Sequence, residues 1–343
     1  MTNDKEITIY DIARELNISS ATVSRALNDH PATNEKTRIK ISELAKQMGY
    51  RQNNFAKNLR QKKTKTIGVI VHELNSQFIT SVLSGIEKVA AESHYNLIIG
   101  HSNEKSTKEV ANASNLFHKR VDGLIASLAF NTENLEHYDS FFQRGIPIVF
   151  FDRVKVDGGG IKVIIDNKKA GYEPTNHLIE QGCKKIMHVT GNLTKNVYSD
   201  RLQGFKDAIT EHHLPLEPNW LVVNDLSEEA GIKTAQQILK MKDKPDGIFI
   251  TNDLCAAVCM QHLKEGGIKI PEEMAVVGFN NDIISRIVEP KLTTVQYDGK
   301  EMGEVAARNL INHLNGVSKI TSANTIILRS ELIVRGSSKR KKV

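Results

Sequence analysis

The 343-residue chain carries 46 Lys+Arg against 40 Asp+Glu, is 40% hydrophobic and 25% charged, and contains three cysteines. Its length suits two or three packed units rather than one core. No apolar run approaches the roughly 20 residues of a membrane helix, and MTNDKEITIYD lacks the apolar segment and cleavage site of a signal peptide, so a reduced, cytoplasmic protein without a membrane partner is expected. The net charge of +6 is unevenly placed: residues 1–65 hold 13 Lys+Arg against 7 Asp+Glu, residues 336–343 add four basic residues, and residues 66–335 hold 29 against 33. A small basic head on an acidic body is the distribution expected of a polyanion-binding module joined to something else.

Residues 1–50 read as three helices without a strand. Thr8 with Asp11 has the form of a capping box, and Ile12, Ala13 and Leu16 give the first helix its apolar stripe. Asn17 to Ser19 makes a turn. Ser19 caps a second helix whose inner side is Val23 and Leu27; Asn34 caps a third, carrying Ile41, Leu44, Ala45 and Met48, which stops at Gly49. The following RQNNFAKNLRQKKTK is polar and basic, with only Phe55, Ala56 and Leu59 apolar, and is a poor helix by itself.

After Thr66 short apolar β-runs alternate with amphipathic helices. TIGVIV, YNLIIG, DGLIAS and IPIVFFD form one set; KKIMHVTG, WLVVND, DGIFITND and MAVVGF form a second. Continuous apolar strands separated by helices imply parallel sheets covered on both faces. The likeness of Asp122-Gly123-Leu124-Ile125 to Asp246-Gly247-Ile248-Phe249 points to two similar doubly wound lobes, with a ligand cleft where the C-terminal ends of the strands face each other. Pro174 sits inside the helix expected after Asn167, where it removes an N–H. Cys255 and Cys259 lie four apart without His or Cys partners at metal spacing and read as packing residues; no metal or cofactor is expected. The tail GSSKRKKV is expected to be disordered.

A helix-turn-helix sets its second helix in the major groove with N-terminal residues against base edges, so that helix needs small or hydrogen-bonding side chains there. Ser20, Ala21, Thr22, Ser24 and Arg25 meet the need: Arg25 can fork a guanine, and Ser19, Thr22 and Ser24 suit phosphate oxygens. An ordinary helical hairpin with polar faces is the competing reading.

Tyr10-Asp11-Ile12-Ala13, Ile18-Ser19, Thr22-Val23-Ser24-Arg25, Leu27-Asn28, Lys36-Thr37-Arg38 and Met48-Gly49-Tyr50 resemble the headpiece of the lactose-repressor/galactose-repressor (LacI/GalR) family of bacterial transcription regulators, and the body continues the match to near residue 337. The resemblance implies a small all-α helix-turn-helix headpiece (1–63), a hinge helix from Asn53 to Arg60, and an α/β periplasmic-binding-protein-like body of two doubly wound lobes (64–337), with 338–343 as tail. It puts the first lobe at about 64–163 and 295–321 and the second at about 164–291 and 325–337. Crossovers then fall near Val163–Asp166, Lys291–Tyr297 and Thr321–Thr325; the helix from Gly299 to Asn315 returns to the first lobe, and ILRSELIVRGS finishes in the second.

By the same resemblance Ser20, Ala21 and Arg25 read bases, within a DNA-contacting set that also includes Thr8, Tyr10, Ser19, Thr22, Ser24, Asn28, Asn53, Lys57, Leu59 and Arg60. Leu59 is the expected minor-groove wedge, which kinks the duplex, and Lys57, Arg60, Lys62 and Lys63 face phosphates. Gln52 departs from the family's usual proline before the hinge. In the body, Asn75, Phe78, Ser127, Asp152, Arg201, Asn252 and Asn280 are polar or aromatic residues at strand ends or helix starts, expected to line one crevice. The resemblance has Asp152, Arg201, Asn252 and the residue at 280 hold effector hydroxyls, a carboxylate with an Arg fork suiting a polyol; Asp253 is expected to cap the following helix. Asn280 stands where the family usually has Asp. The expected partners are thus operator DNA, a sugar or sugar derivative, and a second copy of the chain, with effector and operator binding coupled reciprocally.

The rivals are a sugar-binding protein with no gene-regulatory role, which would need a signal peptide and no head, and a sugar-modifying enzyme using Asp152 or His188 as base. The chain has no Gly-rich phosphate fingerprint or Gly-x-Ser-x-Gly elbow, and His188 reads as part of a buried strand, so no catalytic activity is expected.

Overall fold

The computed structural model describes residues 7–50, 63–318 and 325–340. The chain divides into two compact units, Met1–Thr64 and Lys65–Val343.

The first unit holds α1 (Ile9–Leu16), α2 (Ser20–Leu27) and α3 (Glu35–Gln47). The carboxylate of Asp11 accepts the Thr8 N–H at 3.0 Å and the Thr8 hydroxyl at 2.6 Å, tying down the start of α1. Asn17, left-handed at φ 52°, ends that helix and lets the Ile18 N–H reach the Ala13 carbonyl at 3.0 Å. The Ser19 hydroxyl accepts the Thr22 N–H at 3.2 Å, and Asn34 Oδ1 accepts the Lys36 N–H at 3.0 Å. Ile12, Ala13, Val23, Ala26, Ile41 and Ala45 make the core. Ala26, three after Val23, takes the fully inward place expected of Leu27, which is only partly buried.

The second unit has two six-stranded sheets. In the first, β11 (Thr325–Leu328), β5 (Ile161–Ile165), β4 (Ile148–Phe151), β3 (Gly123–Ala126), β1 (Thr66–Val71) and β2 (Asn96–His101) lie side by side in that order, all parallel. In the second the order is β12 (Ser330–Ile333), β10 (Thr293–Tyr297), β9 (Ala275–Phe279), β8 (Gly247–Ile250), β6 (Ile186–Thr190) and β7 (Leu221–Val223); only the β10–β12 pair is antiparallel. The two orders correspond strand for strand and differ only in the direction of the last-added edge strand, so the lobes are similar, and β3, β4, β8 and β9 are buried throughout, as their unbroken apolar runs require.

The first crossover lies where the sequence places it: β5 ends at Ile165, and helix Asn167–Glu180 packs beneath the second sheet. The other two shift. Thr293–Tyr297, within the expected second crossover, is wholly a strand of the second sheet, and the chain passes over at Asp298, the cap of helix Gly299–Leu314, which covers β3, β4 and β5. Of the third expected crossover, 321–324 lie outside the described residues, and Thr325 to Leu328 still belong to the first sheet, paired with Lys162 to Ile165. The chain crosses at Arg329, so Ile327 and Leu328 do not finish in the second lobe. Among the described residues, the first sheet and the helices that cover it thus take 65–165, 298–318 and 325–328, and the second takes 167–297 and 330–340.

The tail expectation also needs correction. Ser337 and Ser338 are buried; the Ser338 hydroxyl lies 2.6 Å from Thr293 Oγ1 and 2.7 Å from His177 Nε2. Arg340 donates to the carbonyls of Pro271 at 2.9 Å and Asp246 at 2.7 Å, so its charge is spent inside the second lobe. Residues 341–343 lie outside the described residues. The three cysteines are free and buried, as packing residues.

Helix Asn167–Glu180 runs through Pro174 and meets helix Asn196–Glu211 at bare backbone. A Cβ on Gly171 would stand 2.0 Å from the Arg201 carbonyl oxygen, and one on Gly204 would stand 1.9 Å from that of Lys168. The close approach sets Arg201 beside Asn167, at the mouth of the second lobe.

Candidate DNA-reading helix and effector cleft

In the head, the exposed face of α2 carries Ala21, Arg25 and Asn28, with Ser20, Thr22 and Ser24 half-buried beside it. Ser19 is occupied: besides capping the helix, its hydroxyl lies 2.9 Å from Thr22 Oγ1. Asn28 Nδ2 donates to the Ser24 carbonyl at 2.7 Å. Arg25 is exposed, and no ion pair holds it among the described residues. Tyr10 on α1 is 66% exposed. Asn53, Lys57, Leu59, Arg60, Gln52 and Lys62 lie outside the described residues; Lys63 is exposed.

In the body, Asp152 ends β4 in a left-handed conformation (φ 56°) and is 7% exposed. Burial raises its carboxyl above the usual range, opposed by the nearby guanidinium groups of Arg201 and Arg153. Arg201 is 3% exposed; its Nε donates to Asn167 Oδ1 at 2.9 Å, and its guanidinium lies 3.6 Å from the centre of the Phe279 ring. Phe279 continues into Tyr297, whose ring is 4.7 Å from Phe78 of the first lobe and whose hydroxyl donates to Asn280 Oδ1 at 3.3 Å. Asp152, Arg201, Asn280 and Phe78 thus meet around one aromatic wall, at the C-terminal ends of strands from both lobes.

Three expected residues sit differently. Ser127 is fully buried with its hydroxyl 3.0 Å from His72 Nδ1. Asn75 is exposed on the loop after β1 and is not joined to this group. Asn252 does the capping assigned to Asp253: its Oδ1 accepts the Cys255 N–H at 3.0 Å. Asp253 instead turns inward, accepting the Thr294 hydroxyl at 2.7 Å and the Asp282 N–H at 2.8 Å. Asn and Asp serve equally well as caps, so the sequence gives no preference between neighbours; β10, bringing Thr294, decides it.

Several groups escaped the sequence reading. Arg153, 6% exposed, forks both oxygens of Glu104 from one nitrogen at 2.8 Å and reaches the Tyr198 hydroxyl across the lobes at 3.2 Å. His72, Glu73 and Glu104 bring ligand atoms within 4.8 Å of one another, but Glu104 is committed to Arg153 and His72 Nδ1 to Ser127. Glu109 is fully buried and accepts from Ala129 N–H, the Thr132 and Tyr138 hydroxyls and the His137 ring. His188 is fully buried in β6, stacked 4.8 Å from Phe205, and burial with the Arg201 charge lowers its ring to about 3. A ring held neutral in a dry strand suits packing rather than proton transfer.

The sequence profile described as bacterial regulatory proteins, lacI family, matches residues 8–53, and that of a periplasmic binding protein-like domain matches 175–338. Over 310 residues the chain is 33% identical to catabolite control protein A of Priestia megaterium, covering 90% of this chain and 93% of that relative. The chain belongs to the LacI family. The fold agrees: the structure of the Lac repressor dimer bound to operator and the anti-inducer ONPF superposes with TM-score 0.85 at 23% identity, covering 97% of this chain and 99% of that one. A periplasmic binding protein/LacI transcriptional regulator from Alkaliphilus metalliredigens, complexed with D-xylulofuranose, matches at TM-score 0.69 and 28% identity, covering 80% and 100%. As a LacI-family member the protein is a DNA-binding transcription repressor with a periplasmic-binding-protein-like body, not an enzyme. No described helix is long and apolar enough to cross a membrane.

This LacI-family body carries a pH-dependent element beside the cleft. Burial pushes Asp253 up to about 7, against the lowering effect of Thr294 and two backbone N–H groups. The folded state keeps the proton longer than the unfolded state, so between about pH 4 and pH 7 this group makes stability fall as pH rises. Asp253→Asn, which keeps an acceptor and donates toward Thr294 instead, should show a flatter decline of melting temperature between pH 5 and pH 8 than the parent. Parallel curves for the two proteins would rule out Asp253 as the source.

Proposed function

We propose that the protein binds a palindromic operator as a dimer and that a sugar or sugar-like polyol in the body's cleft changes its operator affinity. The observation that carries the reading is the meeting of Asp152, Arg201 and Asn280 with the Phe78–Tyr297–Phe279 wall: paired polar groups for hydroxyls beside aromatic faces for the C–H side of a ring. Asn280, an amide at φ 111°, has two N–H groups where a carboxylate could only accept; one faces the Asp282 carboxylate, and the other suits an acceptor on the effector. The relative solved with D-xylulofuranose supports a sugar as effector class.

The dimer rests on the first lobe. The edge strand β2 and helix Gln77–Glu92 border a groove of about 860 Å³ lined by Leu83, Tyr95, Leu97 and Ile99, and Ile99 is 49% exposed. A parallel sheet edge with apolar side chains is normally covered. The Lac repressor was solved as a dimer on operator, which supports the same assembly here. Two heads presenting Ser20, Ala21 and Arg25 would read two half-sites, with Thr8, Tyr10, Ser19, Thr22, Ser24 and Asn28 along the backbone, and the Asn53–Arg60 segment, through Lys57, Leu59 and Arg60, at the operator centre.

The test is selection of duplex sites from random DNA with the full chain, followed by binding to the selected site against scrambled competitor, with and without a panel of sugars. A palindromic site occupied by two chains and an affinity changed by one sugar class are the expected results. No preference over scrambled DNA, or no sugar that shifts either the melting temperature or operator affinity, would overturn the reading.

A further inference from the structure

Besides the Phe78–Tyr297 ring contact and the Ile283 N–H donated to Gln77 Oε1 at 2.7 Å, the two lobes are joined by the side chains of one segment, Asn192 to Tyr198, at the start of helix Asn196–Glu211. Asn192 Nδ2 donates to the Phe130 carbonyl at 2.8 Å, the Lys195 amine donates to the Thr132 carbonyl, and the Tyr198 hydroxyl takes Arg153 at 3.2 Å. Between them, Asn196 does what a neighbouring strand would do. Its Oδ1 accepts the Val154 N–H at 2.9 Å and its Nδ2 donates to the Asp152 carbonyl at 3.1 Å, so one amide from the second lobe satisfies residues i and i+2 of the first. Asn196 is 8% exposed, and both backbone groups are buried, so neither would find a substitute partner while the lobes stay together.

The turn that Asn196 grips is the one that aims Asp152. Asp152 at φ 56° sits in the left-handed region, sparsely populated by non-glycine residues, so the turn depends on the partners that hold it. Opening the cleft removes the amide from both sides of that turn at once. We propose that Asn196 is a positioning residue of the switch: it clasps the lobes shut without an effector and fixes the Asp152 turn only in the closed state. The cleft then has an intrinsic closed population, and effector binding adds to a clasp already made. The functional meaning of the clasp rests on the effector-cleft reading; the clasp itself does not.

The experiment measures the distance between lobes in the full chain without any sugar. Lys108→Cys on the first lobe and Gln203→Cys on the second are exposed positions for spin labels, and the native cysteines are buried and spared. Double electron–electron resonance on labelled chain diluted with unlabelled chain should give a mainly short, closed distance. Asn196→Ala should lower the closed-to-open ratio about tenfold, the worth of two ordinary hydrogen bonds. Asn196→Asp, which keeps the acceptor for Val154 but sets a charged oxygen against the Asp152 carbonyl, should lower the ratio at least as far. An open parent, or variants that melt normally and keep the parent's distance distribution, would overturn the proposal; if Asn196→Ala does not fold, Asn196→Asp decides. A sugar panel without a binder would strike the effector reading and leave this result standing.

Discussion

Arg25→Ala is expected to weaken binding to the selected operator by about 1–3 kcal/mol while leaving most of the affinity for random duplex intact. The asymmetry follows from how the head is built. Ser19 and Asn28 are tied to their own helix, and the face they leave open is short-chained except for Arg25. A guanidinium without an ion-pair partner among the described residues costs little to redirect toward a base edge, where a bidentate contact discriminates between sequences. Phosphate attraction depends instead on the 13 basic residues of 1–65 together, and the loss of one changes it slightly. Fluorescence anisotropy on both duplexes at one salt concentration separates the two effects. Equal losses on specific and random DNA would make Arg25 a phosphate contact.

The second large effect belongs to Asp152. Asp152→Asn should raise the effector concentration needed for half-response by roughly 10- to 100-fold, the range of a charge-assisted hydrogen bond, while operator binding without effector stays unchanged. Asparagine is the informative replacement because it tolerates the left-handed backbone at this position. Asp152→Ala should abolish the response altogether, since it removes the acceptor and adds backbone strain. Titration of operator binding with effector gives both numbers; a variant that responds like the parent would place the ligand elsewhere in the body.

The sheets were legible because their strands are short, continuous and apolar, and the repeated Asp-Gly start of β3 and β8 disclosed the likeness of the lobes. The crossovers were legible only to within a few residues. TTVQY and TIIL read as strands but not as strands of a particular sheet; that depends on pairing with partners more than a hundred residues away in the case of β11 and β5. In the cleft, Asp152 and Arg201 stood out as an acid and a base at element ends. Arg153 and Asn196 did not, because their meaning comes from the opposite lobe. The exchange of duties between Asn252 and Asp253 has the same origin. The ordered Ser338 and Arg340 were hidden by composition: a basic, serine-rich end resembles solvated tail until the carbonyls it reaches are known.

Neither lobe is a continuous stretch of chain. The first is closed by helix Gly299–Leu314 and by β11 at its sheet edge, both arriving after almost the entire second lobe. During synthesis the face of β3 and β4 that this helix covers must wait, bare, for more than a hundred further residues to emerge, whereas the head, complete by Tyr50, folds from neighbouring contacts alone. Truncated products and slow translation near the C-terminus therefore leave a sound DNA-binding head attached to an unfinished, sticky body, and chaperone dependence should concentrate on that interval.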